Sequence, residues 1–286
     1  MKASIGKIGK WLLLGLGAAV ALVGLYLSVF FFPYPLFPHH AEFAGFSVYS
    51  DREIPGDFEL VLDDARRRVE AMELYRADNN LRIFLCSSQR KFVTLIKLAG
   101  KRHVGQALVI SAAGNAFFSE EGIEGMRQRT GGRPVHSRLE GSWSAAIAHE
   151  VAHQQMVATK GSRKARTMPT WKSEGYADYA ANVAAVASDP DYDFRSRIGL
   201  LLDDNSWRPP VRPFDRRHFR WHLMVEYLCN VRGLRFEDLL NAGVTEESAW
   251  DEMIAWYLAF PASDTADPRW PAESAATSAP AGPGGN

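Results

Sequence analysis

The sequence predicts an α+β fold in which a small N-terminal sheet packs on the helix that carries the candidate site, followed by a helical C-terminal half. Short strand-like runs occur in the first half of the chain, and helical patterns dominate the second. One long apolar segment precedes both and predicts a single N-terminal transmembrane helix. The chain has 286 residues and is 47% hydrophobic, so residues 46–260 can bury the core of one domain.

The N-terminus predicts a membrane anchor. Residues 11–32 form a 22-residue stretch without a charged side chain. As a helix this stretch would be about 33 Å long, enough to cross the apolar core of a bilayer. Lys2, Lys7 and Lys10 precede it, and positive charge favours the cytoplasmic side. We therefore expect residues 1–10 in the cytoplasm, a single-pass helix in the lipid bilayer, and the rest of the chain outside the cytoplasm.

A cleaved signal peptide is the alternative for this segment. Its apolar region would be unusually long, and no Ala-x-Ala cleavage site follows, since Ala41 and Ala44 have the wrong spacing. The aromatic and proline-rich residues 33–45 come next. They are predicted to be a juxtamembrane linker, because aromatic side chains favour the membrane interface and proline disfavours a helix.

Hydrophobic patterning divides the domain at 46–260 into a first part with strands and a helical second part. We expect a helix at 58–77 and strands at 81–86, 107–111 and 116–119. Further helices are predicted at 143–160, after Pro169, and at 195–202, 217–231, 236–240 and 246–260. Residues 261–286 are rich in Ala, Pro, Ser and Gly, a composition that predicts a disordered tail.

The motif that carries chemistry is His149-Glu150-Val151-Ala152-His153. Residues four apart lie on one face of a helix, so both imidazoles can bind one ion. Zinc accepts imidazole nitrogen readily, and a catalytic zinc keeps one position open for water. Glu150, one step round the helix, can take a proton from that water.

The helix around this motif is expected to be buried. Ser142 is a suitable N-cap, and Gly161 a suitable end. From Trp143 to Ala152 the helix is apolar or small on nearly every side. Ionisable side chains there need partners, because an unpaired buried charge is costly, and a cation would supply one. The alternative is a surface helix whose polar face happens to contain the motif, but the polar face is missing.

A third ligand is predicted on the next helix. Glu174 lies 21 residues after His153, which allows the first helix to end, a basic loop to follow at 162–167, and a second helix to return beside it. Asp178 lies one turn beyond Glu174, where its carboxylate can accept the N–H of a ligating histidine and fix the tautomer of that ring. The alternative is that both acids are solvated residues of an amphipathic helix.

The two segments together resemble the gluzincin metallopeptidases, the group that contains thermolysin and the zinc aminopeptidases. The pattern His149-Glu150-x-x-His153 followed by Trp171-x-x-Glu174-Gly175-x-Ala177-Asp178 is most similar to the minimal peptidase-MA-like domains of that group. The resemblance implies one zinc ion per chain, bound by His149, His153 and Glu174, with Glu150 as general base and Asp178 bonded to a histidine ligand. It also implies hydrolysis of a peptide or protein substrate by zinc-activated water.

Two further features match that family less closely. Its members carry a tyrosine or histidine that steadies the oxyanion, and His218 and His222 are the candidates here, with a core role as the alternative for each. Thermolysin-like enzymes hold the substrate along an edge strand, and Asn115 and Ala116 begin a similar run, with a plain buried strand as the alternative. The Gly-x-Met-Glu-Asn signature of the aminopeptidases is absent, so we expect an endopeptidase.

The composition and the remaining residues limit which other functions are compatible with the sequence. Lys+Arg and Asp+Glu are equal at 33 each. The chain therefore lacks the excess of basic residues that would indicate binding to nucleic acid. Two alternatives stay open: a non-catalytic membrane-anchored module that binds a peptide through a retained zinc site, and a zinc amidase that acts on a non-peptide amide. Cys86 and Cys229, the only cysteines, are compatible both with a disulfide and with free thiols.

Overall fold

The computed structural model describes residues 2–56, 58–77, 81–101, 107–110, 113–121, 142–207, 213–241 and 243–259. The chain forms two compact units, Met1–Phe58 with Asn80–Gly122 and Glu59–Asn79 with Ile123–Asn286. The α+β arrangement is confirmed, because a small mixed sheet occupies the first unit and the described part of the second is helical. The packing of the sheet on the helix that carries His149 stays a prediction.

The first unit is built on a five-stranded sheet. Its elements are α1 (Lys2–Phe31), β1 (His39–Phe43), β2 (Phe46–Ser50), β3 (Arg82–Cys86), α3 (Gln89–Leu98), β4 (Ala107–Ile110) and β5 (Asn115–Ser119), with a short 3-10 turn at Tyr34–Leu36. The strand order is β1-β2-β3-β5-β4. The β2–β3 and β3–β5 pairs are parallel, and the two outer pairs are antiparallel.

The core of this unit is aromatic and draws on the sheet, α3 and the end of α1. The rings of Phe84 and Phe117 lie on adjacent strands in register and stack with their centroids 5.0 Å apart. Ser88 caps α3 by accepting a hydrogen bond of 3.3 Å from the backbone N–H of Lys91, which fixes the start of the helix that buries Phe92. Phe30, at the end of α1, is 4% exposed and belongs to the same core.

Two sequence predictions for this unit need correction. Residues 33–45, predicted to be a linker, contain β1, which pairs with β2 over five residues and so belongs to the sheet. The predicted substrate edge strand at Asn115 and Ala116 is wrong, because β5 lies between β3 and β4 and both residues are fully buried. The side chain of Asn115 instead donates a hydrogen bond of 2.7 Å to the carbonyl of Phe30.

The N-terminal helix contains one apolar segment, Lys10–Phe31, that is long enough for a membrane span or a signal sequence. It has 22 residues and a mean hydropathy of 2.3. Its large apolar side chains are exposed, for example Trp11 at 73% and Leu22 at 67%. The described residues do not cover these side chains, as expected of a membrane span or a signal sequence.

The described part of the second unit consists of helices. They are α2 (Phe58–Glu70), α4 (Trp143–Thr167), α5 (Thr170–Ala187), α6 (Phe194–Leu202), α7 (Pro213–Glu226), α8 (Phe236–Asn241) and α9 (Glu246–Ala259). A π-helical turn at Tyr227–Val231 extends α7, and a 3-10 turn at Asp204–Trp207 follows α6. Each helix predicted in this part of the chain is present within a few residues, except that α2 is shorter than 58–77. The predicted tail at 261–286 lies outside the described residues.

Helix α4 has the termini that its sequence predicts. The hydroxyl of Ser142 accepts a hydrogen bond of 3.1 Å from the backbone N–H of Ala145. Gly161 breaks the helix with φ 78° and ψ 153°, a backbone region that is essentially restricted to glycine. The segment 162–167, predicted to be a loop, is helical after this break. The break therefore separates the segment that carries the motif from a short basic helical end.

Two residues of α2 connect it to both helices of the candidate site. Arg68 is 5% exposed and donates hydrogen bonds of 2.9 Å to the carbonyl of Ala181 and 3.1 Å to the amide oxygen of Asn182, both on α5. Asp64 accepts hydrogen bonds from Arg68 and from Ser144 on α4. Burial acts to raise the pKa of Asp64, but these two partners outweigh it and lower the pKa. The ionised carboxylate thus joins α4 to α2.

Candidate metal centre

Three side chains from two helices converge in the second unit. His149 and His153 lie one turn apart on α4, and Glu174 lies in the first turns of α5. The Nε2 atoms of the two histidines are 3.0 Å apart. The Oε2 atom of Glu174 lies 3.4 Å from Nε2 of His149 and 3.5 Å from Nε2 of His153. Within the described residues, these three form the one group of His, Cys, Asp or Glu side chains that could hold a metal ion.

The spacing of these atoms fits a tetrahedral zinc site. Zinc binds imidazole nitrogen and carboxylate oxygen at about 2.1 Å, so two ligand atoms of a tetrahedron lie about 3.4 Å apart. The three observed separations of 3.0, 3.4 and 3.5 Å match that edge length. Two imidazoles and one carboxylate are also a ligand set of catalytic zinc sites, which leave the fourth corner for water or substrate.

Asp178 orients the first of the two histidines. Its Oδ1 atom lies 2.7 Å from Nδ1 of His149. Burial acts to raise the pKa of Asp178, but the facing His149 outweighs it and holds that pKa well below its usual range, so the carboxylate is ionised and can only accept. Nδ1 of His149 therefore carries a proton, which leaves Nε2, the nitrogen that faces His153 and Glu174, as the one that could bind a metal ion.

The electrostatic surroundings of the site favour a cation. Burial alone would lower the pKa of His149, yet the carboxylate of Asp178 outweighs it and raises that pKa well above the ordinary value. Burial likewise acts to raise the pKa of Glu174, but hydrogen bonds from both histidines hold it well below its usual range. The carboxylates of Glu174 and Asp178 thus place negative charge beside two imidazoles. The same field that stabilises a proton on His149 would stabilise a metal ion.

Glu150 lies next to His149 on α4 and is half-buried. Burial raises its pKa, and the charges of His149 and His153 oppose that shift. A carboxylate whose pKa is raised takes up a proton more readily than an exposed one. The raised pKa of Glu150 is compatible with a role in proton transfer.

The two histidines predicted as oxyanion donors have different positions. Nδ1 of His218, on α7, lies 3.3 Å from Oδ2 of Asp178, so His218 reaches the site through that carboxylate. His222, one turn further on, is 1% exposed, and its Nε2 lies 3.4 Å from the carboxylate of Glu226. The hydroxyl of Tyr192 donates to the same carboxylate, whose two oxygens lie 2.6 and 2.7 Å from it. The core role weighed for His222 is thus the one that its surroundings favour.

The close approach of α5 and α7 depends on Gly175, next to Glu174. A Cβ atom at this position would lie 2.5 Å from the backbone oxygen of Trp221 and 2.9 Å from a methyl group of Val225. Only glycine allows the two backbones to approach this closely without a shift. This contact brings His218 of α7 within reach of Asp178 of α5.

Sequence reasoning missed one polar neighbour of the site. The hydroxyl of Ser173 lies 3.5 Å from Nδ1 of His153, the ring nitrogen that faces away from the other two ligands. The sequence did offer one indication of this contact: Ser173 directly precedes Glu174 and so lies at the same end of α5. The link between His218 and Asp178 was also missed, because no sequence spacing indicates which side chains meet across 40 residues.

The two cysteines are free thiols. Cys86 is buried in the first unit, and burial raises the pKa of its thiol to about 12. Burial also raises the pKa of Cys229. The disulfide left open by the sequence is not formed.

No protein-family model matches the chain, and no curated protein is similar to it at a significant level. The candidate site therefore stands on its own geometry and on the residue pattern quoted above.

Proposed function

We propose that this protein is a membrane-anchored zinc metallopeptidase, of the gluzincin kind, that cleaves internal peptide bonds. The observation that carries the proposal is the convergence of His149, His153 and Glu174 from two helices, with all ligand atoms within 4.8 Å of one another. Asp178 on the far nitrogen of His149 and Glu150 beside it supply the remaining parts of the residue pattern. A non-catalytic role would not need an intact general base.

The residues have distinct roles in the proposed reaction. A bound zinc ion would polarise the scissile carbonyl and lower the pKa of water at the open position. Glu150 accepts a proton from that water as its oxygen adds to the carbonyl carbon. Glu150 then gives the proton to the leaving amine nitrogen as the C–N bond breaks, so the residue is regenerated without a covalent intermediate. Asp178 keeps the proton of His149 on Nδ1 throughout.

The buried end of α1 favours a retained anchor over a cleaved signal peptide. Phe30 is 4% exposed in the aromatic core of the first unit, and the hydroxyl of Tyr26 donates a hydrogen bond of 2.6 Å to the carbonyl of Leu98. Cleavage after the helix would remove these side chains and leave a cavity in the core. Lys2, Lys7 and Lys10 favour a cytoplasmic N-terminus, and on that orientation the second unit would lie outside the cytoplasm.

Substitution of Glu150 by glutamine tests the proposed activity. The full chain in detergent, loaded with zinc, is incubated with a peptide library and its products are read by mass spectrometry. Glu150→Gln should keep one zinc per chain and lose activity by about 100-fold or more, because general base catalysis contributes about that much. The matched control is Glu247→Gln, an exposed carboxylate of α9, which should keep full activity. Zinc binding without cleavage by the unaltered chain would contradict the peptidase proposal and favour the peptide-binding module or the amidase.

A further inference from the structure

We propose that His218 is a positioning residue that acts on the zinc site through Asp178, and not an oxyanion donor. This inference rests on the proposed function, because it assigns a role at the same site. The geometry that carries it is a chain of two hydrogen-bonding contacts from three helices. Asp178 of α5 receives Nδ1 of His149 at 2.7 Å on one oxygen and Nδ1 of His218 at 3.3 Å on the other.

The positions of the protons in these two hydrogen bonds follow from their shared acceptor, the carboxylate of Asp178. Nδ1 of each histidine lies within hydrogen-bonding distance of a carboxylate oxygen, which accepts, so each histidine offers an N–H to Asp178. Both rings therefore carry a proton on Nδ1. Contact with two donors fixes the rotation of the carboxylate about its terminal bond, whereas one donor would leave that bond free to turn. His218, in contact with Oδ2, thereby fixes the position of Oδ1, the oxygen that accepts from His149.

The packing around His218 restrains its ring. The side chain is 20% exposed, and its ring lies 5.3 Å from the ring of Trp221 at an interplanar angle of 51°. The backbone of Trp221 is in turn the group that contacts Gly175, one turn before Asp178. The same helix pair that excludes any larger residue at 175 thus sets the distance between His218 and Asp178. Helix α7 therefore contributes to the proposed metal site through the contact of His218 with Asp178, although it supplies no ligand.

Three substitutions at 218 separate a positioning role from a catalytic one. The amide group of asparagine lies at about the distance of Nδ1 from the backbone, whereas that of glutamine reaches about as far as Nε2. A role through Nδ1 is therefore rescued by His218→Asn, and a role through Nε2 by His218→Gln. His218→Ala removes both.

The readouts are zinc affinity, measured by competition with a chelator, and the visible spectrum of the cobalt-loaded full chain in detergent. His218→Ala and His218→Gln should weaken zinc binding by about 10-fold or more and alter the cobalt spectrum, as loss of a group behind a ligand does. His218→Asn should stay within about threefold of the unaltered chain and keep its spectrum. If circular dichroism shows that His218→Ala does not fold, the comparison of His218→Asn with His218→Gln still distinguishes a role through Nδ1 from a role through Nε2.

Two results would overturn the inference. In the first, all three variants keep the zinc affinity and the cobalt spectrum of the unaltered chain, with only turnover reduced, as an oxyanion donor would behave. In the second, asparagine is no better than glutamine. Failure of the proposed function gives a different result, because the unaltered chain would then bind no zinc or cleave no peptide whatever stands at 218.

Discussion

Asp178 lies 2.7 Å from His149, on the ring nitrogen opposite the one that faces Glu174 and His153. The contact joins α5 to α4 and fixes which nitrogen of His149 is available to a metal. Two acidic residues four apart on α5 thus have different surroundings. Glu174 turns toward the ligand cluster, while Asp178 supports one member of that cluster from behind.

Replacement of Asp178 by asparagine should weaken zinc binding by about 10- to 100-fold. The amide is neutral, so the negative charge beside His149 is lost, and its NH2 group cannot accept from His218. Chelator competition on the full chain measures the effect. Asp191→Asn, an exposed acid beyond the end of α5, should leave the affinity unchanged. Equal affinities for both variants would show that Asp178 does not support the site.

Replacement of Gly175 by alanine should destabilise the second unit. The added methyl group would meet the backbone oxygen of Trp221 at 2.5 Å, and backbone cannot yield as the end of a flexible side chain can. We expect the free energy of unfolding to fall by about 1–3 kcal/mol, the usual cost of overpacking, together with a loss of zinc affinity. Thermal melting followed by circular dichroism measures the first effect.

The control for this substitution is Gly243→Ala in the same unit. A Cβ atom there has no neighbour within 4 Å, so the stability should change by no more than about 0.5 kcal/mol. If Gly175→Ala melts at the temperature of the unaltered chain and binds zinc equally well, the close contact of α5 with α7 is not what holds Asp178 near His218.

The two cysteines should titrate as free thiols. A thiol reagent added to the unfolded, unreduced chain should detect two thiols, because neither cysteine is bonded. In the folded chain Cys86 should not react, since it is buried and its pKa is raised to about 12, which leaves it almost wholly protonated at neutral pH. Absence of thiols in the unfolded chain would mean that Cys86 and Cys229 pair after all.

The N-terminal helix should remain on the mature chain. Mass spectrometry of the chain purified from membranes should give an N-terminus that includes the whole of Lys10–Phe31, and alkaline carbonate should not extract it. A shortened chain that begins at residue 33 should lose membrane attachment and also stability, because Phe30 leaves the core of the first unit. A mature chain that begins after residue 31 would identify the helix as a signal sequence.

The site helices could be predicted from the sequence because their signals are local. Ser142 lies directly before an apolar run, Gly161 adopts a conformation that other residues avoid, and His149 and His153 have the spacing of one helical turn. The chain between His153 and Glu174 is long enough for a second helix to return, and the family resemblance pointed to Glu174 itself. None of these steps required knowledge of contacts between distant segments.

The sheet and the outer partners of the site could not be predicted in the same way. Strand pairing joins segments that are far apart in the sequence. The apolar run of β5 therefore gave no sign that this strand pairs with β3 along one edge and with β4 along the other. The strand β1 was missed because prolines and aromatic residues before it suggested a linker. His218 lies on a helix stripe shared with apolar residues, and only the packing of α7 on Gly175 shows that it reaches Asp178.

Two histidines of α4 and one glutamate of α5 are proposed to bind a single zinc ion. Zinc X-ray absorption on the full chain, loaded with one equivalent of metal, measures the ligands directly. We predict a four-coordinate zinc with two imidazoles at about 2.0–2.1 Å, the remaining ligands oxygen at about 2.0–2.2 Å, and no sulfur. A spectrum with a zinc–sulfur distance of about 2.3 Å, or with fewer than two imidazoles, would contradict the account.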